Sequence, residues 1–119
     1  SAAATRFLGF VPADDLAALY GAATVFAYPS LREGFGMPVA EAMAQGVPVV
    51  TSRGSATEEV AGGAAVLADP LDADSIADAL TTAIAAPERW IEAGSRRAAT
   101  LTWEACVDAT VAAYRTVAR

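Results

Sequence analysis

The sequence has no lysine and no histidine, and its single cysteine is Cys106. A chain without histidine lacks the base of a Ser-His-Asp triad and the commonest metal ligand in proteins. A zinc site needs several cysteine or histidine ligands, so we expect no bound metal. Arginine supplies all eight positive charges against 14 acidic residues, for a net charge of −6. Such an acidic chain gains little from counterion release, which argues against nucleic acid as a partner.

Long apolar runs are also absent from the sequence. No stretch reaches the ~20 apolar residues that a membrane-spanning helix needs, so we predict no transmembrane segment. Residues 1–5 are small and neutral, and they lack the charged region and apolar run of a signal peptide. These absences favour a cytoplasmic protein, and the single cysteine fits a reducing compartment.

The sequence does contain enough apolar material for one core. Hydrophobic residues make up 55% of the 119 residues, and this length suits a single domain that spans the whole chain. Much of the apolar material is alanine, which has a small side chain. We therefore expect a core built on close contact between helices and a sheet.

Short apolar runs alternate with amphipathic stretches along the chain. The apolar runs predict strands at residues 6–10, 25–28, 47–51 and 64–68. Helical spacing predicts helices at residues 14–21, 38–45 and, briefly, 57–60. Asp72 is the predicted N-cap of a fourth helix. The inner face of that helix is predicted to carry three aliphatic residues, Ile76, Leu80 and Ile84.

The end of the chain continues as helix. Pro87 begins a fifth predicted helix through Trp90 and Ile91, and Thr102 caps a sixth that includes Trp103 and Cys106. Trp90 and Trp103 have apolar neighbours at helical spacing, and we interpret both as core residues. Alternating strands and helices are typical of a parallel sheet, and strands that are apolar throughout indicate cover on both faces. The sequence therefore predicts the α/β class, a doubly wound parallel sheet with helices on both faces. Ligands bind at the carboxyl ends of such strands, so the loops after the strands are the candidate sites.

The loop at residues 29–38 has the chemistry of a phosphate site. Gly34 and Gly36 flank Phe35, and the loop leads directly into the predicted helix. Glycines allow a ligand to approach the backbone closely. The first turn of a helix adds unpaired N–H groups and partial positive charge. Such a site can bind phosphate without lysine.

Two acidic residues lie on either side of these amides. Glu33 opens the run and Glu41 lies in the first turn of the predicted helix. Carboxylates accept hydrogen bonds from paired hydroxyls, which a sugar and a ribose both provide. On these residues alone, Glu33 could equally be an ordinary loop acid, and Glu41 one that a helix start favours.

The run from Glu33 to Glu41 resembles the E-x7-E motif of retaining GT-B glycosyltransferases of the group 1 (family 4) type. The resemblance extends, in matching order, to residues 7–12, 27–30, 41–50 and 63–70, and it covers nearly the whole chain after Thr5. It implies a Rossmann-like, C-terminal donor-binding domain of a GT-B fold. The corresponding activity is transfer of a sugar from a nucleotide-sugar to an acceptor.

The resemblance also implies roles for individual residues. Glu33 would contact hydroxyls of the donor sugar at the catalytic centre, and Glu41 would hold the ribose. The sugar and its phosphate would meet the segment Gly34, Phe35, Gly36, Met37 and Pro38. The base would lie near the loop formed by Phe10, Val11 and Pro12. The nucleotide-sugar is the substrate, and no metal or other cofactor is expected. In this family neither glutamate is pictured as a general base.

Parts of the family pattern have no counterpart in this sequence. The acceptor domain and the first two βα units, with their basic pair, are expected to be absent. Arg32 and Arg53 do not match that pair by position, and we interpret them as surface charges. The chain alone is therefore expected to bind a diphosphate weakly and to be inactive. In the full-length parent, peripheral association with a membrane is left open.

The missing units also affect the sheet, because the family has strand order 3-2-1-4-5-6. Without strands 1 and 2, the strand at 6–10 is expected to pair either on the strand at 25–28 or on a second copy of the chain, as a homo-oligomer.

Alternatives of a different class remain at this point. A non-catalytic α/β module could bind a nucleotide or a partner through the same loops. A receiver-like domain would need a lysine near the strand ends, and the chain has none. Gly54 and Glu58, after the third predicted strand, are further candidates for the donor site, with ordinary turn roles as the alternative.

Overall fold

The computed structural model describes residues 4–32 and 36–101. Within these ranges, three short strands form a parallel sheet in the order in which they follow along the chain: β1 (Phe26–Tyr28), β2 (Val49–Ser52) and β3 (Val66–Ala68). The helices of the same ranges are α1 (Ala13–Ala22), α2 (Met37–Ala44), α3 (Ala56–Ala61), α4 (Ala73–Ala85) and α5 (Pro87–Thr100). The strands predicted at 25–28, 47–51 and 64–68 are confirmed, as are the five helices predicted before residue 102.

Helices cover both faces of the sheet. On one face, Val50 and Ala68 pack with Ala79 and Ala83 of α4. On the other face, Val49 belongs to a larger cluster formed mainly by α1, α2 and α3. Neighbouring residues of a strand point to opposite faces, which is why Val49 and Val50 enter different clusters. The prediction of an α/β sheet covered on both sides is confirmed.

The inner face of α4 differs in part from the prediction. Asp72 is the N-cap, and its carboxylate accepts hydrogen bonds from the N–H groups of Asp74 and Ser75 at 3.0 and 3.4 Å. Ile76 and Leu80 are half-buried against the sheet, but Ile84 is 48% exposed. Each step of four residues turns about 40° beyond a full helical turn, because a turn holds 3.6 residues. The third residue in the row therefore leaves the contact, and Ala79 and Ala83 lie closest to the sheet.

The predicted first strand is wrong for the described chain. Residues 6–10 are not a strand, and the side chains of Phe7 and Phe10 are 94% and 92% exposed. A strand requires a neighbour for its backbone hydrogen bonds. Within the described ranges β1 pairs only with β2, so the predicted pairing of this segment on the strand at 25–28 is wrong. Pairing with a second copy stays a prediction.

Several predictions fall outside the described residues. They are the helix after Thr102, with Trp103 and Cys106, and the loop residues Glu33, Gly34 and Phe35. Trp90, which was predicted to be a core residue, is half-buried. In the part of the chain that is described, no helix has both the length and the apolar character needed to cross a membrane.

Candidate functional site

The carboxyl ends of the three strands meet at one edge of the sheet and are tied together there. The Thr51 hydroxyl donates a hydrogen bond to the carbonyl of Tyr28 at 2.9 Å, which joins the ends of β2 and β1. The N–H of Arg53 donates to the carbonyl of Ala68 at 2.9 Å, which joins the ends of β2 and β3. The loops that follow the strands thus begin from fixed points on a common edge.

The helix that starts beside this edge is α2. Gly36 is buried and precedes the helix with a left-handed φ of 83°. Pro38 has no N–H group, and the N–H of Val39 donates to the carbonyl of Gly36 at 3.0 Å. The N–H groups of Gly36 and Met37 make no hydrogen bond to another described residue. These two amides are therefore what the start of α2 can offer to an anion.

Glu41 lies further along α2 than the sequence predicted. The helix starts at Met37, so Glu41 is its fifth residue and is not in the first turn. The prediction of a first-turn position is wrong because the helix begins one residue earlier than expected. Stabilisation by the helix start fades within the first turn, so it does not account for a glutamate at this position. The side chain is exposed.

The negative charge of Glu41 acts on Tyr20 of α1. Burial, and to a smaller degree the negative charge of Glu41, raises the pKa of the Tyr20 hydroxyl above its ordinary value. Tyr20 is 7% exposed, and its ring meets that of Phe26 edge-on at 5.0 Å. The carboxylate of Glu41 is thus near enough to α1 for its charge to act on the Tyr20 hydroxyl.

An apolar groove is lined by the residues that are predicted to lie near the base of the nucleotide. Phe10, Val11 and Pro12 form one wall, together with Leu8, and the groove has a volume of about 590 Å³. The other wall is the outer side of α1, formed by Asp15, Ala18, Leu19 and Ala22. Pro12, in the first wall, is the N-cap of α1. Its carbonyl oxygen accepts a hydrogen bond from the N–H of Leu16 at 2.9 Å.

The groove and the start of α2 are separate features in the described chain. None of the residues that line the groove belongs to α2 or to the loop before it. The structure therefore groups Phe10, Val11 and Pro12 with one another, and it groups Gly36, Met37 and Pro38 at the helix start. It does not bring the two groups into one cavity.

The loop after β2 uses its polar groups internally. The N–H of Gly54, which has a left-handed φ of 81°, donates to the carboxylate of Glu58 at 3.2 Å. Ser55 caps α3, and its hydroxyl accepts from the N–H of Thr57 at 3.3 Å. Glu58 thus holds the turn at Gly54, which is the structural alternative to the donor-site role considered for this pair.

Thr57 is a residue that the sequence reasoning missed. It is fully buried. A Cβ atom added to Gly36 would lie 2.8 Å from its Cγ2 methyl, which is too close for a real contact. The start of α3 therefore packs directly on Gly36, the N-cap of α2. No periodicity or motif in the sequence indicates this contact. A glycine just before a helix is only a general sign that another group packs closely on the backbone there.

The cationic and metal-binding groups of the edge are few. Arg32 and Arg53 are both exposed, as expected for surface charges. Among residues 4–32 and 36–101, no group of three or more histidine, cysteine, aspartate or glutamate side chains could hold a metal ion. Any anion at this edge would therefore be bound mainly by backbone amides.

Comparison with known proteins decides the family. The family described as "Glycosyl transferases group 1" matches residues 2–97. The chain belongs to the group 1 glycosyl transferases. It is 43% identical over 114 residues to O-antigen chain mannosyltransferase B of Escherichia coli, with 92% of this chain and 30% of that protein covered. It is 41% identical over 110 residues to D-inositol 3-phosphate glycosyltransferase of Thermobifida fusca, with 87% and 25% covered.

A solved structure agrees with this assignment. Sucrose-phosphate synthase from Thermosynechococcus elongatus is similar to this group 1 glycosyl transferase chain with a TM-score of 0.77 and 31% identity. The match covers 94% of this chain and 30% of that one. The α/β, Rossmann-like fold and the resemblance to GT-B glycosyltransferases are confirmed. The chain spans less than a third of the length of each of these relatives.

Proposed function

We propose that this group 1 glycosyl transferase chain is the donor-site portion of a retaining enzyme that transfers a sugar from a nucleotide-sugar to an acceptor. Its role is to bind the donor, and the chain by itself is not catalytic. The observation that carries the proposal is the start of α2, where the N–H groups of Gly36 and Met37 are not used by any described residue.

The chemistry of that helix start suits a diphosphate. Two neighbouring amides, the positive end of the helix dipole and a glycine that admits close approach act together on an anion. Pro38 lacks an N–H and Val39 already donates to Gly36, so the available donors are confined to one turn. In the proposal, the amides of Gly34 and Phe35 extend this set toward the sugar.

The two glutamates complete the proposed donor site. Glu41 is exposed and lies past the first turn of α2, so its carboxylate is available to accept hydrogen bonds from ribose hydroxyls. Glu33 is assigned to the hydroxyls of the donor sugar at the reaction centre, on the E-x7-E spacing. Phe10, Val11 and Pro12 line an apolar groove that could accept one face of the base.

The proposed reaction needs neither a metal nor an added cofactor. The bond from the anomeric carbon to the diphosphate oxygen breaks, and the acceptor oxygen bonds to that carbon on the same face while the departing diphosphate takes the acceptor's proton. The configuration at the anomeric carbon is therefore retained. The backbone amides at Gly36 and Met37 stabilise the charge that develops on that phosphate. We place the parent protein in the cytoplasm.

Binding is tested by NMR titration of the chain with UDP, GDP, ADP and their sugar conjugates. We expect saturable shifts at Gly36, Met37 and residues 10–12, with the preferred base identified by the tightest ligand. Glu41→Ala should weaken binding by about tenfold or more, because it removes charge-assisted hydrogen bonds. Glu59→Ala, which removes an exposed acid from α3, is the matched control and should leave the affinity unchanged.

Two results would contradict the proposal. The first is the absence of saturable shifts at millimolar nucleotide. The second is an equal response of the Glu41→Ala and Glu59→Ala variants, which would show that only net charge matters. Loss of sugar from the donor in the presence of this chain alone would contradict the expectation that it is inactive, and would separate a transferase from a binding module.

A further inference from the structure

Thr57 and Gly36 come from separate loops and meet beside the carboxyl edge of the sheet. Gly36 is the N-cap of α2, and Thr57 lies in the first turn of α3. A Cβ atom on Gly36 would lie 2.8 Å from the Thr57 Cγ2 methyl and 3.5 Å from its Cα. The methyl group therefore fills the space in which any other residue at position 36 would carry its side chain.

The Thr57 side chain is held in one orientation. Its hydroxyl forms a hydrogen bond with the Ser55 hydroxyl at 2.6 Å, and its N–H donates to the same oxygen at 3.3 Å. A β-branched side chain has few χ1 rotamers, and this one is fully buried. The methyl that contacts Gly36 is consequently a rigid surface.

Support for this surface continues to the sheet. Glu58 holds the turn at Gly54 through the 3.2 Å hydrogen bond to its N–H. The preceding residue, Arg53, is tied to the end of β3 through its own N–H. The loop that leads into α3 and Thr57 is thus anchored at the ends of β2 and β3.

Glycine needs such external support where its amide must point in one direction. With no side chain, Gly36 has access to more backbone conformations than any other residue type, and its φ of 83° is one of several that it can adopt. A phosphate site works when its donors are oriented before the ligand arrives. Contact with a fixed methyl group restricts the rotation of the Gly36 backbone.

We propose that Thr57 is a positioning residue, whose methyl group orients the Gly36 and Met37 amides for the diphosphate of the donor. This inference rests on the proposed function of the helix start. It adds a residue from the loop after β2, outside the run from Glu33 to Glu41. Thr57 acts through Gly36 and does not itself touch the ligand.

The test compares two substitutions at one position. Thr57→Ser removes the methyl and keeps the hydroxyl bond to Ser55, whereas Thr57→Val keeps the methyl and loses that bond. We expect Thr57→Ser to shift the amide resonances of Gly36 and Met37, to speed their hydrogen exchange and to weaken binding of the preferred nucleoside diphosphate about fivefold. Thr57→Val should bind within about twofold of the parent chain, because the contact with Gly36 is retained.

Arg97→Met serves as the stability control, since Arg97 contacts the far end of α3. Arg97→Met is expected to be less stable than the parent chain. If it loses as much affinity for the nucleoside diphosphate as Thr57→Ser does, the loss reflects lower stability, and the inference is overturned. Unchanged Gly36 and Met37 resonances in Thr57→Ser, or unchanged affinity despite shifted resonances, also overturn it. If the parent chain binds no nucleoside diphosphate, the proposed function fails first, and the inference fails with it.

Discussion

Gly94 of α5 lies against Met43 of α2, so close that a Cβ atom on Gly94 would be 3.3 Å from Met43 Cγ. Met43 is 1% exposed and is the largest fully buried side chain of the described core. A glycine in mid-helix weakens a helix, which makes its presence here informative. The absence of a side chain at Gly94 lets α5 approach α2, the helix that carries the proposed phosphate site.

The first prediction follows from this contact. Gly94→Val should lower the free energy of unfolding by about 1–3 kcal/mol, because its side chain has no room beside Met43. The matched control is Gly21→Val in α1, where an added Cβ meets no atom within 4 Å. The control should change stability by no more than about 0.5 kcal/mol. Urea denaturation of both variants measures the difference, and equal losses would show that packing at Gly94 is not tight.

A second prediction concerns Arg97, which joins α5 to α3. Its guanidinium donates hydrogen bonds to the carbonyls of Val60 at 2.8 Å and Glu59 at 3.0 Å, near the end of α3, where carbonyls lack helical partners. Arg97→Met keeps the aliphatic stem and should cost about 1–3 kcal/mol of stability.

The control for this prediction is the neighbouring arginine. Arg96→Met removes the same charge but breaks only an exposed ion pair with Glu92 of 2.9 Å. Such pairs contribute about 0–0.5 kcal/mol on a helix surface. Thermal and urea unfolding of the two variants should therefore differ clearly. Similar stabilities would mean that water replaces Arg97 as the hydrogen-bond donor to the α3 carbonyls without a loss of free energy.

The third prediction compares two adjacent buried hydroxyls of β2. Thr51 donates to the carbonyl of Tyr28, whereas the Ser52 hydroxyl is buried without a hydrogen-bond partner among the described residues. Thr51→Val should cost about 1 kcal/mol, because it removes a hydrogen bond between strand ends. Ser52→Ala should be neutral or stabilising, because it removes a polar group that is buried without compensation. Chemical denaturation measures the free energy of unfolding of both variants. A clear decrease in Ser52→Ala would show that the Ser52 hydroxyl has a hydrogen-bond partner.

The fourth prediction concerns pH. Burial first, and the charge of Glu41 second, raise the pKa of Tyr20 above its ordinary value of 10.0. The folded state holds the Tyr20 proton more tightly than the unfolded state does, so this proton stabilises the fold. The contribution to the free energy of unfolding is complete below pH 10 and is lost as the pH rises through the raised pKa. Glu41→Gln should lower the pKa of Tyr20 only in part, since burial remains.

Tyrosine ring resonances followed by NMR against pH measure this shift in the parent chain and in Glu41→Gln. Glu59→Gln, an equal change of charge on the exposed side of α3, should leave the pKa of Tyr20 unaltered. A Tyr20 pKa that does not respond to Glu41→Gln would place the carboxylate away from α1.

Much of the fold could be predicted because the deciding interactions are local. Val49 and Val50 are consecutive apolar residues because the sheet is covered on both faces, and this pattern is visible in a short window. Asp72 caps α4 through groups only two and three residues away, which is why its role could be predicted from the sequence. The prediction that Ile84 lies on the inner face of α4 was wrong, because residues four positions apart are each rotated further around the helix axis.

The candidate site was predictable only in part. Gly36 and Pro38 indicate a helix start, and the structure has one there. The segment at residues 6–10 has the composition of a strand, but composition does not provide a neighbouring strand. The roles of Glu33, Glu41 and the base-proximal residues stay predictions, supported by the family and by the geometry at Gly36.

The sequence by itself determined the α/β class and the positions of β1, β2 and β3, and it indicated the family, because apolar periodicity, caps and the spacing from Glu33 to Glu41 are properties of neighbouring residues. Only the tertiary structure decided which loops meet. It placed Thr57 against Gly36, Gly94 against Met43 and Arg97 on the end of α3. These contacts join residues far apart in the chain. Such pairs become neighbours only when the β-α crossovers bring the helices together, a geometry that no local pattern encodes.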